Sequence, residues 1–158
     1  MDAEEDKMKI RKIENGVVID HVPSGKGPKV LSILGVGEDF PGTVSMVMHT
    51  PSPSMGQKDL IKIEGRELAD REINKIQLVA PDATVNYIRS YEVVRKQKVE
   101  APDSFEGVVT CPNPRCVSAK EVVPRLLTEQ KKPLVVRCYY CEKVYDSAQL
   151  LELSTFTS

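Results

Sequence analysis

The chain has 158 residues, of which 41% are apolar and 28% charged, and its formal net charge is -1. That is the balance of a soluble globular protein with one ordinary domain or two small ones, and it excludes a global field drawing the chain to nucleic acid or an anionic membrane. No apolar run approaches the roughly 18 residues of a membrane span, and MDAEEDK is acidic where a secretory signal is basic and then apolar. Residues 1–7 are therefore expected to be a disordered, solvated tail on a cytoplasmic protein.

In chain order, VVIDHV (17–22) is a strand. In SGKGPKVLSILG, Val30, Leu31, Ile33 and Leu34 form a helical stripe that Gly35 closes. TVSMVMH (43–49) alternates, PSPSMGQ (51–57) has loop composition, and DLIKIEG (59–65) alternates again. Ala69, Ile73, Ile76 and Ala80 have helical spacing, ended by Pro81, and TVNYIR and YEVVRKQKV give two further strands up to Val99. The order strand, helix, two strands, helix, one or two strands predicts an α+β fold of the ferredoxin-like βαββαβ kind, one sheet with two helices on one face. VEAPDS (99–104) is the expected linker, which divides the chain into an N-terminal domain over 8–101, a second over 102–153 and a tail at 154–158.

No catalytic signature is present. The glycines of SGKGP and GVGEDFPG match neither phosphate-binding fingerprint, and no pair among the many carboxylates is set apart as acid and base.

The second part holds all four cysteines, Cys111, Cys116, Cys138 and Cys141, spaced C-x4-C-x21-C-x2-C. The pair in VRCYYCEKVY alone fits a redox dithiol, half a metal site or a chance pair. A redox dithiol expects a helix N-terminus within an α/β pattern, whereas VVRCYYC is strand-like and no amphipathic helix is expected after it. With CPNPRC supplying a second tight turn, the four thiolates form one closed tetrahedral set, the pattern of one structural zinc ion (Zn2+) in a small all-β, zinc-ribbon-like domain. Some 50 residues bury too little apolar surface to fold easily unaided, and zinc contributes on the order of 10–16 kcal/mol in such modules.

VVIDHVPSG, MGQKDLIKIEG, APDATVN, YEVV, CPNPRC and RCYYCEK, in this order, closely resemble the regulatory chain of aspartate carbamoyltransferase over about residues 8 to 146. The resemblance implies an N-terminal allosteric domain that binds CTP or ATP at a shared site and a C-terminal zinc domain that docks on the catalytic chain. It further implies a homodimer that joins two catalytic trimers and performs no chemistry itself, in an enzyme of pyrimidine biosynthesis. Carried over by position, Asp20 pairs with base or ribose and His21 lies near the phosphates. Lys62 reaches the ribose and base region, Asn86, Ile88, Tyr91 and Val93 line the pocket, and Lys96 binds the triphosphate. Taken alone, His21 is a surface or capping residue and Lys62 a solvated lysine. As strand neighbours, Asp20 and His21 point to opposite faces, so they share a ligand only at a strand end or through backbone. QLLELSTFTS has no assigned counterpart.

Two other classes compete. A zinc-ribbon nucleic-acid module could stack bases on Tyr139, Tyr140 and Tyr145, but the chain from Asp103 onward holds seven acidic and seven basic residues, no excess for phosphate binding. An enzyme would need catalytic residues that the sequence does not supply.

Overall fold

The computed structural model describes residues 12–119 and 122–157; the expected tail at 1–7 lies outside the described residues. Two compact units are present. The first comprises the chain up to Ala69 together with Asp82–Lys98, and the second Asp70–Pro81 together with the chain from Val99.

The first unit contains β1 (Gly16–Pro23), α1 (Gly27–Ile33), β2 (Val44–Ser52), β3 (Gly56–Glu64), β4 (Thr84–Arg89) and β5 (Glu92–Lys98). The strands form one sheet in the order β2-β3-β1-β4-β5, every pair antiparallel. Through β4 this is the expected ferredoxin-like order, with β5 added at the edge as the second of the two possible closing strands. PSPSMGQ is less of a loop than its composition suggests: β2 runs to Ser52, β3 starts at Gly56, and a short turn joins them into a hairpin. Register alternation sorts the side chains into two faces. One carries Val17, Ile19, Ile61, Ile63 and Val85, all fully buried. α1 starts against this face, where a Cβ on Gly27 would lie 2.7 Å from the Met46 Sδ and 2.9 Å from the Asp59 Oδ2, so only glycine fits.

Two bulges oppose the same stretch of β3, one in β1 between Ile19 and Val22, the other in β2 between Val47 and Thr50. Each holds a histidine in the left-handed region, His21 and His49, both at φ 58°, and each is tied by a carboxylate. Asp20 accepts from the His21 amide at 2.7 Å. Asp59, wholly buried, accepts from the amides of Gly25 at 3.0 Å, Gly27 at 2.7 Å and His49 at 3.0 Å. One side chain thereby ends the β1 loop, starts α1 and fixes the β2 bulge.

The second unit contains α2 (Asp70–Val79), β6 (Ser104–Glu106), β7 (Arg125–Lys131), β8 (Leu134–Cys138), β9 (Val144–Asp146) and α3 (Ser147–Leu153). Its sheet is antiparallel in the order β6-β7-β8-β9. Phe105, Leu126, Val136 and Leu150 form its core together with Leu78 from α2. Two features depart from expectation. A helix does follow the second cysteine pair, though only after β9: Asp146 accepts from the Gln149 amide while the Gln149 side chain accepts from the Asp146 amide, a reciprocal cap that starts α3. The stretch from residue 154 is paired, with the Thr110 amide donating to the Thr155 carbonyl at 3.0 Å and the Thr157 amide to the Val108 carbonyl at 2.9 Å. Arg71 and Lys75 of α2 also reach Thr157.

Candidate functional site

Each cysteine pair is set by its own turn. In the first, the Cys116 amide donates to the Asn113 carbonyl, and Asn113 also accepts the Arg115 amide on its side chain at 3.0 Å. In the second, the Glu142 amide donates to the Cys138 carbonyl with Glu142 left-handed at φ 64°, and the Cys138 amide donates to the Lys143 carbonyl. The four Sγ atoms all lie within 4.8 Å of one another, with Cys111 to Cys141 at 3.7 Å and Cys116 to Cys138 at 3.6 Å. Tetrahedral thiolates at about 2.3 Å from zinc stand about 3.8 Å apart. The cluster therefore fits one metal ion, and an all-sulfur, closed set selects zinc in a structural role.

As free thiols Cys111, Cys138 and Cys141 are unequal. Burial pushes Cys111 up to about 12 and raises Cys138. Burial acts the same way on Cys141, but the Lys143 amide, the Asn113 side chain and the Cys111 and Cys138 thiols donate to it and bring it down to about 7. Cys111 is thus protonated at neutral pH without metal and must lose its proton to bind, so metal affinity falls as pH falls.

The first unit gathers most of the sequence-predicted ligand residues on the sheet face opposite α1. Ser45, Lys62, Val18, Asn86 and Lys96 are register partners in one row across β2, β3, β1, β4 and β5. Asp20, Thr84 and Lys98 form the next row, and Ile88 faces Gly16 and Val93. Asp20, Lys62, Asn86, Ile88, Val93 and Lys96 therefore share a face. Lys62 is 1% exposed, so the solvated reading of that residue is wrong. Tyr91 sits in the β4-β5 turn at φ 68°, and it and Val93 are 58% exposed, at the open edge of the face. The neighbour conflict between Asp20 and His21 is resolved by the β1 bulge, which turns His21 so that its Nδ1 lies 3.4 Å from the Thr84 Oγ1.

Sequence reasoning missed Lys58, whose Nζ pairs with the Asp20 Oδ1 at 2.9 Å. The signal was available: in GQKDLIKIE, positions 58, 60 and 62 alternate onto one face. Burial works to raise the Asp20 carboxyl, but the Lys58 hydrogen bond and charge and the His21 amide outweigh it and hold its pKa below the ordinary value. A groove of about 790 Å³ elsewhere in this unit, lined by Arg66, Tyr87, Arg89 and Arg95 among others, shares only Ile88 with these residues.

Fold and site together define a class: an α+β unit carried with a small metal-centred one. The comparisons with known proteins name it. The family described as aspartate carbamoyltransferase regulatory chain, allosteric domain, matches residues 8–100, and the family described as aspartate carbamoyltransferase regulatory chain, metal binding domain, matches residues 103–150. Similar proteins include the aspartate carbamoyltransferase regulatory chains of Thermococcus gammatolerans, 47% identical over 92% of this chain and 97% of that one, and of Pyrococcus furiosus, 49% identical over the same shares. That of Sulfolobus acidocaldarius is 42% identical over 92% of this chain and 90% of its own. The chain belongs to the family of aspartate carbamoyltransferase regulatory chains, with an allosteric domain and a metal-binding domain, and nothing favours the nucleic-acid alternative. Among the described residues no helix is long and apolar enough to cross a membrane.

Proposed function

We propose that this chain is the non-catalytic subunit through which CTP and ATP control a carbamoyl transfer carried out by partner catalytic chains in the cytoplasm. The observation that carries the reading is the row Lys62, Val18, Asn86, Lys96 across one sheet face, with Asp20 and Lys58 in the adjacent positions. Such a face matches a nucleoside triphosphate piece by piece. Lys96 and His21 supply cationic donors for phosphate oxygens. Asp20 and Asn86 offer hydrogen-bond partners to ribose and base, Lys62 reaches between them, and Ile88, Tyr91 and Val93 provide apolar contact at the edge. Lys58, oriented by Asp20, is a further cation for the ligand.

Zinc would act as a crosslink between the two cysteine turns and supply no chemistry. Beside those turns the second unit exposes Val117, Val122, Val123, Tyr139 and Tyr140. Tyr140 donates to the Val123 carbonyl at 3.0 Å, and the two tyrosine rings stand edge to face at 5.1 Å with Arg125 4.6 Å from the Tyr139 ring centre. A braced aromatic patch of this composition is what a protein partner covers, which supports docking of this unit on the catalytic chain. Two regulatory chains would pair and bridge catalytic trimers, and nucleotide would favour one quaternary state by its differential affinity for the two.

Calorimetric titration of CTP into the zinc-loaded chain, with ATP as competitor, tests the site. Saturable binding that ATP displaces and that Lys96→Ala weakens is expected; binding unchanged by that substitution would remove the face from the nucleotide's path.

A further inference from the structure

Two hydroxyls lie inside the second unit with sulfur as their partner. The Ser118 Oγ, in a residue 3% exposed, is 3.0 Å from the Cys116 Sγ. The Tyr145 hydroxyl, in a residue 9% exposed, is 3.9 Å from the Cys111 Sγ. Among the described residues, each hydroxyl has that sulfur as its hydrogen-bond partner. Neither residue is a metal ligand, and neither position is explained by the turns that place the cysteines. The short 3-10 helix Val117–Ala119 buries Ser118 alone of its three residues and turns it back toward the centre, while β9 buries Tyr145 alone of its three.

Metal binding decides what these contacts are. A metal-bound thiolate has no proton to give, so the hydroxyls must be the donors. Without that bond each hydroxyl would be a buried donor left unsatisfied. Four thiolates around one divalent ion leave a net charge of -2 in a mostly buried site, and donors to the sulfurs are what spread it.

We propose that Ser118 and Tyr145 are positioning residues of the metal centre: their hydroxyls donate to the metal-bound thiolates of Cys116 and Cys111 and thereby set how firmly the ion is held and how electron-rich those sulfurs are. Ser118, at the shorter distance, carries the larger share. The proposal rests on one metal held by the four cysteines, and not on the nucleotide reading.

The test uses the full chain with cobalt in place of zinc, and Ser118→Ala, Tyr145→Phe and Ser118→Thr variants. Tetrahedral ligand-field bands in the unsubstituted protein establish the four-sulfur site itself; their absence would remove the premise. Loss of a hydrogen bond raises the energy of the sulfur lone pairs, so the sulfur-to-cobalt charge-transfer band should move to lower energy in Ser118→Ala, less in Tyr145→Phe, and return with the hydroxyl of Ser118→Thr. In the zinc-loaded proteins, transfer to an added chelator at fixed pH should be roughly 10- to 100-fold faster in Ser118→Ala, the scale on which outer partners act on metal sites. A release rate that rises with an unmoved charge-transfer band would mean loosened packing and would overturn the proposal, as would no change in either quantity.

Discussion

Replacing Asp59 by asparagine tests the account of the first unit where it is most specific. The carboxylate is wholly buried and its two oxygens accept three amides, Gly25 and Gly27 on Oδ2 and His49 on Oδ1. Asparagine has one acceptor oxygen. In its best orientation it keeps the Gly25 and Gly27 amides and turns its own NH2 toward the His49 amide, donor against donor. The lost bond leaves a part-buried N–H unsatisfied, at up to about 1 kcal/mol, and the two that remain fall from charge-assisted bonds of about 1.5–3 kcal/mol to neutral ones near 1. Relief from burying a full charge offsets part of this, and a net loss of about 2–4 kcal/mol is expected. Denaturant unfolding of the zinc-loaded chain, followed by circular dichroism, measures it. Zinc content should be unchanged, because Asp59 belongs to the other compact unit. The control is Asp103→Asn, which breaks only the surface pair with Lys131 at 3.2 Å and should leave stability unaltered. If Asp59→Asn lost no more than that control, the triple contact would not be what fixes the bulge and the start of α1.

Asp20→Asn should cost about 3 kcal/mol by breaking a mostly buried ion pair with Lys58. Its effect should also depend on pH: the native carboxyl titrates below its unfolded value, so its contribution is present above about pH 4 and is lost as pH falls through the folded pKa. An acid-unfolding curve as steep in the mutant as in the parent would count against it. Lys96→Ala should weaken CTP binding about ten-fold or more while leaving zinc content and assembly intact; loss of assembly would instead make the lysine structural. Cys141→Ser should abolish zinc binding and with it the fold of the second unit and its association with catalytic trimers, since such centres contribute on the order of 10–16 kcal/mol; a zinc-free mutant that still assembles would refute the role given to the metal.

The strand and helix order was legible because hydrophobic period changes cleanly between 2 and 3.6 along the first hundred residues, and the metal centre because four cysteines at two turn spacings leave few alternatives. The bulges were not legible. Nothing in VVIDHV or SMVMHT marks His21 or His49 as left-handed; the carboxylates that tie the two bulges are Asp20, next to His21, and Asp59, ten residues from His49, and neither pairing shows in a local pattern. α3 was missed although DSAQ carries its cap, since a seven-residue helix has too little periodicity to stand out. Lys62 looked solvated because a lone lysine in a strand usually is; its burial needs cover over its face of the sheet, where Ile13, Val18, Leu60 and Ile88 are buried together, which no local window reveals.

The placement of α2 bears on how such a chain can be divided. It is encoded between two strands of the first sheet, yet its Leu78 belongs to the core of the second unit and its Arg71 and Lys75 hold Thr157. The polypeptide therefore passes from one unit to the other three times, near residues 70, 82 and 99. No single cleavage separates the two. A fragment beginning at Val99 would carry a cavity where Leu78 belongs, a defect of about 2–5 kcal/mol in a core this small. Recombination at the linker, the obvious seam in the sequence, would leave the second unit without α2 and its Leu78, so that unit cannot be exchanged as the segment from Val99 alone.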